Sequence, residues 1–178
     1  MIKLGLVGPM RAGKDMVADW LMKNRDFKRF AIADRIKTAY FAFMGYSAEK
    51  FEQDKGALKG QEMRAGLWEY SDCIKAHYGE RVFIDHMLEE AGACGQNVIV
   101  TDVRTAQEVS AMNSFGARLV LVTRGESYSS PDSLIAGSRL KVSQLPLDTL
   151  RFDNSFSTLE EAYMAVKAFY NKEIRNVA

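Results

Sequence analysis

The chain predicts an α/β fold of three layers, a five-stranded parallel sheet covered by helices on both faces. Three observations carry that expectation. Short apolar runs alternate with segments of helical periodicity. A glycine-rich loop joins the first run to the first helix. Polar and charged residues gather where the apolar runs stop, and open parallel sheets bind ligands at the carboxyl ends of their strands.

Ile2 to Val7 reads as a buried strand. It runs into Gly8-Pro9-Met10-Arg11-Ala12-Gly13-Lys14-Asp15, after which Met16, Val17, Trp20 and Leu21 recur with helical spacing. Arg29 to Ala33 suits a second strand, with Asp34 as the N-cap of the next helix. Ile36, Ala39, Tyr40, Phe43 and Met44 form one apolar face of that helix, and Gly45 suits its stop. Residues 46–61 are polar and contain Gly56 and Gly60, which predicts a mobile connection. Met63, Leu67, Tyr70 and Ile74 mark a helix ending near Gly79, and another covers Arg81 to Ala91. Asn97 to Asp102 is a buried strand finishing in a carboxylate, followed by a helix from Thr105 to Phe115 that Gly116 stops. Arg118 to Thr123 is the fourth strand. Residues 124–147, rich in Ser, Gly and Pro, form the longest irregular stretch, and such long loops in compact domains are functional or disordered. Leu150 to Asp153 is the fifth strand. Ser157 and Glu160 have capping-box spacing and open a final helix through Leu159, Tyr163, Val166, Phe169 and Tyr170.

The chain has 178 residues, 47% hydrophobic and 26% charged, which suits one globular domain with a substantial core. Its formal net charge of +1 provides no global field for a nucleic-acid polymer or a membrane surface. An anionic substrate would therefore need locally placed cations. Cys73 and Cys94 lack metal or redox spacing, which suggests a reduced, cytoplasmic compartment. The start, MIKLGLVG, lacks the length and cleavage site of a signal peptide. No segment approaches the roughly 20 apolar residues of a membrane span.

Gly8 to Lys14 matches G-x-x-x-x-G-K in full. A backbone that wraps a phosphate tightly enough to aim N–H groups at it needs residues without a Cβ, here Gly8 and Gly13. The following helix offers its positive end to the anion, and Lys14 reaches the β- and γ-phosphates of a bound nucleotide. The motif usually continues with Ser or Thr, whose hydroxyl binds Mg²⁺. Here Asp15 stands instead, either in the metal's coordination shell or as a cap of the helix. Asp102 has the position of a Mg²⁺-holding carboxylate at a strand end, or of a turn cap. Arg104 suits a phosphate, or an ion pair with Glu108. His77 and His86 lack metal-ligand spacing, Lys50 and Lys55 read as solvated, and the two cysteines as inert thiols. Trp68 and Tyr70 offer flat apolar walls for a base, while Phe43 reads as core.

Several segments resemble the bacteriophage deoxynucleoside monophosphate kinases. G-P-M-R-A-G-K-D-M-V-A-D at 8–19 is similar to their phosphate loop, in which Asp also follows Lys. F-A-I-A-D-R-I-K at 30–37 resembles their F-A-D-x-x-K, and Y-G-E-R-V-F-I-D at 78–85 resembles F-G-E-x-x-W-x-D, with Phe83 in place of Trp. V-T-D-V-R at 100–104 with Glu108 is similar to S-D-V-R-x-x-x-E, and Val122-Thr123-Arg124 and Asp153-Asn154 are further landmarks.

The resemblance implies a P-loop kinase with an acceptor-binding insertion over residues 34–85 and a lid over 125–141, flanked by Gly125 and Gly137 as hinges. It implies ATP and Mg²⁺ as cofactors and a deoxynucleoside monophosphate as the acceptor. The donor phosphates would lie on Gly8, Met10, Arg11, Ala12, Gly13, Lys14, Asp15 and Met16, with adenine near Asp153 and Asn154. Mg²⁺ would lie on Asp15 and Asp102. Arg124 and Arg139 would join Lys14 and Asp102 in catalysis, and Asp34, Lys37, Arg64, Trp68 and Arg104 would bind the acceptor. A homodimer is compatible with this family. The animal phosphomevalonate kinases share the G-K-D loop and a similar S-D-T-R segment, and they give a second reading. The dephospho-coenzyme A kinases are more distant, because their loop keeps Ser or Thr after Lys. A third reading is a P-loop ATPase switch, which would need a water-positioning residue beside Asp102.

Overall fold

The computed structural model describes residues 1–54, 56–125, 128 and 130–175. Five strands, β1 (Lys3–Val7), β2 (Phe27–Phe30), β3 (Asn97–Val100), β4 (Arg118–Thr123) and β5 (Leu150–Asp153), form one sheet in the order β2-β3-β1-β4-β5. Every pairing is parallel. The central strand β1 sets Gly5 opposite Val100 on one side and Leu119 on the other.

Successive side chains of a strand point to opposite faces, so continuous apolar runs supply two cores at once. On one face Val7, Val98, Val100, Leu119 and Leu121 pack with α2 (Ile32–Phe43), α5 (Val82–Ala93) and α6 (Ala106–Ser114) through Ile32, Ile84, Met87, Val109 and Met112. On the other face Leu4, Leu6, Ile99, Val120, Val122 and Phe152 pack with α1 (Lys14–Arg25) and α7 (Leu159–Phe169) through Val17, Leu21 and Val166. A π-helical turn, Tyr170–Ile174, continues α7 and buries Tyr170 against Trp20 and Phe27. The three-layer α/β architecture with a five-stranded parallel sheet is therefore the one the sequence predicts. No helix among the described residues is long and apolar enough to cross a membrane.

A third, smaller core lies between α2 and two further helices, α3 (Ala48–Asp54) and α4 (Leu58–Tyr78). It holds Tyr40, Phe41, Phe51 and Met63, with Tyr46, Leu67 and Tyr70 against them. Residues 46–61 are thus not the structureless connection their polarity suggests. Phe51 alone anchors α3, Ser47 accepts a hydrogen bond from the Lys50 N–H at the start of that helix, and the Tyr46 hydroxyl donates to Asp54 at its end. Lys55 lies outside the described residues.

Other boundaries also differ from the sequence expectation. Strand β2 begins at Phe27 and ends at Phe30, because α2 begins at Ile32. Asp34 is therefore in the first turn of α2 and does not cap it; the capping position is Ala31. The apolar stripe of α2 runs through Ile36, Tyr40 and Phe41, which leaves Phe43 80% exposed at the helix end and out of the core. Cys73 is exposed and Cys94 partly so. The capping box of α7 is Thr158 with Glu161, one residue later than predicted, and Glu161 accepts from the N–H groups of Ser157 and Thr158.

Candidate active site

Strand β1 ends at Val7, and the next six residues form a tight loop before α1 begins at Lys14. The backbone here is tight at both glycines. Gly8 has φ of 147°, and a Cβ on it would lie 2.1 Å from the Val122 carbonyl oxygen of β4. Gly13 has φ of 99°, and a Cβ there would lie 2.2 Å from Asn154 Nδ2. A side chain at Gly8 would meet main chain and one at Gly13 would have to displace the Asn154 amide, and both positions also carry a positive φ that favours glycine. Arg11 adopts the left-handed region with φ of 67°, which completes the loop's reversal. Ala12 is buried in the α1 core, whereas Met10 is exposed.

Helix α1 has no side-chain cap; its capping residue is Gly13. Asp15 is an exposed first-turn residue, so the capping alternative for it does not apply. The helix terminus keeps its N–H groups and its positive dipole end for an anion. The Lys14 ammonium donates to the carbonyls of Gly8 (2.9 Å) and Pro9 (2.7 Å). Its pKa is held below the usual lysine value, first by burial and then by the Arg104 guanidinium, while Asp15 and Asp102 pull it up. Two cations that strain each other in a partly dry site are relieved by a bound polyanion.

Asp102 lies two residues past β3. Its two carboxylate oxygens accept from the N–H groups of Ile32 and Ala33, both at 2.8 Å. Asp102 thus caps α2, across the sheet end, and the helix that follows it is capped by Thr105. Burial raises the Asp102 carboxyl above the ordinary value, against the pull of those donors and of Arg104, and Asp34 adds to the rise. Arg104 and Glu108 do not form the side-chain pair considered from sequence. Glu108 is the third residue of α6, in a capping box with Thr105, and its Oε2 accepts from the backbone N–H groups of Arg104 (2.6 Å) and Thr105 (3.0 Å). Burial raises the Glu108 carboxyl, Asp102 raises it further, and Lys75 of α4 lowers it.

The segment after β4 also reaches this end of the sheet. Residues 126, 127 and 129 of the expected lid lie outside the described residues. The remainder is stitched down. Ile135 and Leu140 are fully buried in the α5–α6 core, and the Ile135 N–H donates to the Leu140 carbonyl. The Arg139 N–H donates to the Arg104 carbonyl at 3.0 Å, which puts the two arginines side by side in chain path. Gly137 sits at the turn of this hairpin, with its Cβ position 3.7 Å from Met10, and so at the tip that meets the phosphate loop. Arg124 follows β4 directly and is exposed. Asp153 closes the neighbouring strand end by accepting from Gly125 N (3.0 Å), Thr123 Oγ1 (3.3 Å) and Ser155 Oγ (2.7 Å), and these donors hold its carboxyl below the ordinary value.

Lys14, Asp15, Asp102 and Arg104 therefore form one electrostatic cluster over the ends of β1 and β3, with Arg139 adjoining. Asp34 and Lys37 lie on α2, where Asp34 pairs with Arg29 (3.2 Å) and Lys37 (3.7 Å). Asp34 and Lys37 line a cavity of about 470 Å³ with Thr38, Phe41, Tyr46 and Phe51. Arg64 and Trp68 stand exposed on α4, on the helix edge that continues through buried Ser71 to Lys75. Lys75 was not singled out from sequence, although its spacing of seven from Trp68 places it on that edge. Asn154 is buried behind the phosphate loop and does not lie on an open nucleotide-facing surface.

The residues present suit ATP and Mg²⁺. The loop has a cradle shape, an uncapped helix end and an ammonium group. Two buried polar atoms at the same strand ends, Thr101 Oγ1 and Asn154 Oδ1, have no hydrogen-bond partner among the described residues. Among the described residues no group of three or more His, Cys, Asp or Glu side chains could hold a metal by itself. A Mg²⁺ site of the phosphate-transfer kind needs only one or two carboxylates plus substrate phosphates, and Asp15 and Asp102 are the carboxylates that would serve it here.

No family model matches the chain, and no curated protein matches it. Among solved structures it is similar to a protein assigned as a kinase from Chloroflexus aurantiacus J-10-fl, at 14% identity over 97% of both chains, with a TM-score of 0.44. It is similar to shikimate kinase from Aquifex aeolicus VF5, at 13% identity over 97% of this chain and 83% of that one, TM-score 0.38. It is also similar to shikimate kinase from Acinetobacter baumannii, solved with shikimate, at 16% identity over 100% of this chain and 80% of that one, TM-score 0.37.

Proposed function

We propose that the chain is an ATP-dependent phosphotransferase that phosphorylates a small phosphorylated acceptor, a deoxynucleoside monophosphate. The observation that carries the reading is the cluster at the sheet end. An uncapped helix terminus and Lys14 stand within the field of a second cation, Arg104, and of two carboxylates. Two mutually repelling phosphate groups need such an arrangement, because phosphoryl transfer is catalysed by placement and charge stabilisation. The choice of acceptor rests on the motif resemblance at 8–19 and 100–108.

Lys14 and the loop N–H groups would bind the donor phosphates. Mg²⁺, held by Asp15 and Asp102, would neutralise charge on the donor. Arg104, Arg124 and Arg139 would bind the acceptor phosphate and the transferred group; losing such an arginine costs about 10³-fold or more in rate. The acceptor phosphate is already ionised, so no general base is required. The hairpin at 134–141 would keep water from the phosphate loop.

The test is turnover of purified protein with ATP, Mg²⁺ and each deoxynucleoside or ribonucleoside monophosphate, following ADP and diphosphate. Lys14→Ala serves as the blank. Diphosphate from one or a few deoxynucleotides, absent in the blank, supports the reading. ADP formed only with phosphomevalonate would move the acceptor to the second reading, and acceptor-independent ADP would identify an ATPase.

A further inference from the structure

The role of Asn154 follows from a geometric detail of the phosphate loop. Asn154 comes directly after β5, is 7% exposed, and is tied to the sheet by its own N–H donating to the Thr123 carbonyl at 2.8 Å. Its side-chain Nδ2 donates to the Ala12 carbonyl oxygen at 3.0 Å. The same Nδ2 fills the space a Cβ on Gly13 would occupy. The amide orientation is determined by this contact, since the reversed amide would set oxygen against oxygen.

Every peptide bond of the described chain is trans. In a trans peptide the C=O of one residue and the N–H of the next point in opposite directions. Drawing the Ala12 carbonyl inward to Asn154 therefore turns the Gly13 N–H the opposite way, away from Asn154. We infer that Asn154 is a positioning residue for nucleotide binding: through one hydrogen bond it aims the Gly13 N–H at the phosphates of the donor. This rests on the phosphate-loop reading above and replaces the adenine contact that the resemblance implied for Asn154. Gly8 is seated in a different way, against the main chain of β4. The two ends of the loop are thus held by a strand backbone and by a single side chain, and only the second can be altered by substitution.

The experiment measures equilibrium binding of tripolyphosphate, ADP, ATP and GTP to wild type, Asn154→Ala and Asn154→Asp, each with a thermal melt. Asp keeps the shape of Asn but presents oxygen to the Ala12 carbonyl. The expected result is a loss of about ten-fold or more in affinity for tripolyphosphate and ADP in both variants, with the ATP-to-GTP ratio unchanged. A shifted ATP-to-GTP ratio with unchanged tripolyphosphate binding would overturn the inference in favour of a base contact. A lowered melting temperature with unchanged tripolyphosphate affinity would overturn it in favour of a purely structural role. A second measurement needs no variant. In ¹⁵N-glycine-labelled wild type, the Gly13 amide resonance should move on adding tripolyphosphate, and a Gly13 resonance that stays put while binding occurs would sink the proposal. Wild type that binds no tripolyphosphate at all would instead sink the phosphate-loop reading itself.

Discussion

At Gly13 a left-handed backbone and a 2.2 Å clearance from Asn154 coincide. Gly13→Ala meets both obstacles. Non-glycine residues in such backbone regions cost of the order of 1–3 kcal/mol, before any displacement of the amide. The expected outcome is a clear drop in the urea midpoint together with loss of ADP binding; unchanged ADP affinity in a stable variant would contradict the described loop. Asp15 yields a different prediction. Asp15→Ser restores the hydroxyl that usually follows the loop lysine and removes a charge that raises the Lys14 pKa. Turnover in this variant should persist with a shifted Mg²⁺ requirement, read from a Mg²⁺ titration of initial rate. Complete Mg²⁺ independence of both proteins would remove Asp15 from any metal role. At this scale the sequence was most informative. The glycine spacing and Lys14 were legible because their geometry is local to one loop. The place of Asn154 was not, since it depends on β5 lying beside β4 and beneath a loop 142 residues earlier.

The element that sequence periodicity missed is α3. One buried phenylalanine among seven residues, the rest polar but for Ala48, leaves no stripe to count, and the helix is held by tertiary contact. Phe51→Ala should therefore act locally. It removes the ring that packs on Phe41 at 4.9 Å between centroids, a type of loss that costs about 3–5 kcal/mol in a full core. Hydrogen exchange should speed up across 48–63 while amides of β1 and β3 keep their protection. Uniform acceleration through the sheet would show that the small core is not an independent unit. The start of α2 was misplaced from sequence for a related reason. Asp34 looks like a cap, yet the acceptor of the first N–H groups is Asp102, some seventy residues away. Asp102→Asn exchanges one of two accepting oxygens for a donor. A loss of about 0.5–2 kcal/mol in the absence of nucleotide is expected, visible by chemical denaturation. Stability equal to wild type would mean the contact does not hold α2.

For the molecule as a whole, the two apolar faces of one sheet determine the architecture, and this much was predictable because strands buried on both sides read as unbroken Val, Leu and Ile. The order β2-β3-β1-β4-β5 brings the ends of β1, β3 and β4 together, so the phosphate loop, Asp102 and Arg124 converge as a consequence of topology. Acid stability is also a property at this scale. Asp153 has a folded pKa below its unfolded value, because Gly125, Ser155 and Thr123 donate to it. Its contribution is therefore present above the ordinary carboxylate range and is lost as pH falls through the lowered folded value. Urea midpoints of wild type should decline on acidification below about pH 4, whereas Asp153→Asn should start lower and change less over that window. Parallel curves would show that other carboxylates govern the acid limb.

The grip of Asp102 on α2 also bears on which positions can vary over generations. The carboxylate seizes only main-chain N–H groups, those of Ile32 and Ala33, and every amino acid except proline has one. That hydrogen-bonded contact is thus itself blind to side-chain identity. The exposed residues of α2, Phe43 among them, can be rewritten without breaking this contact. A helix fastened in this way can change its solvent-facing residues while the loop at 8–14 stays as it is.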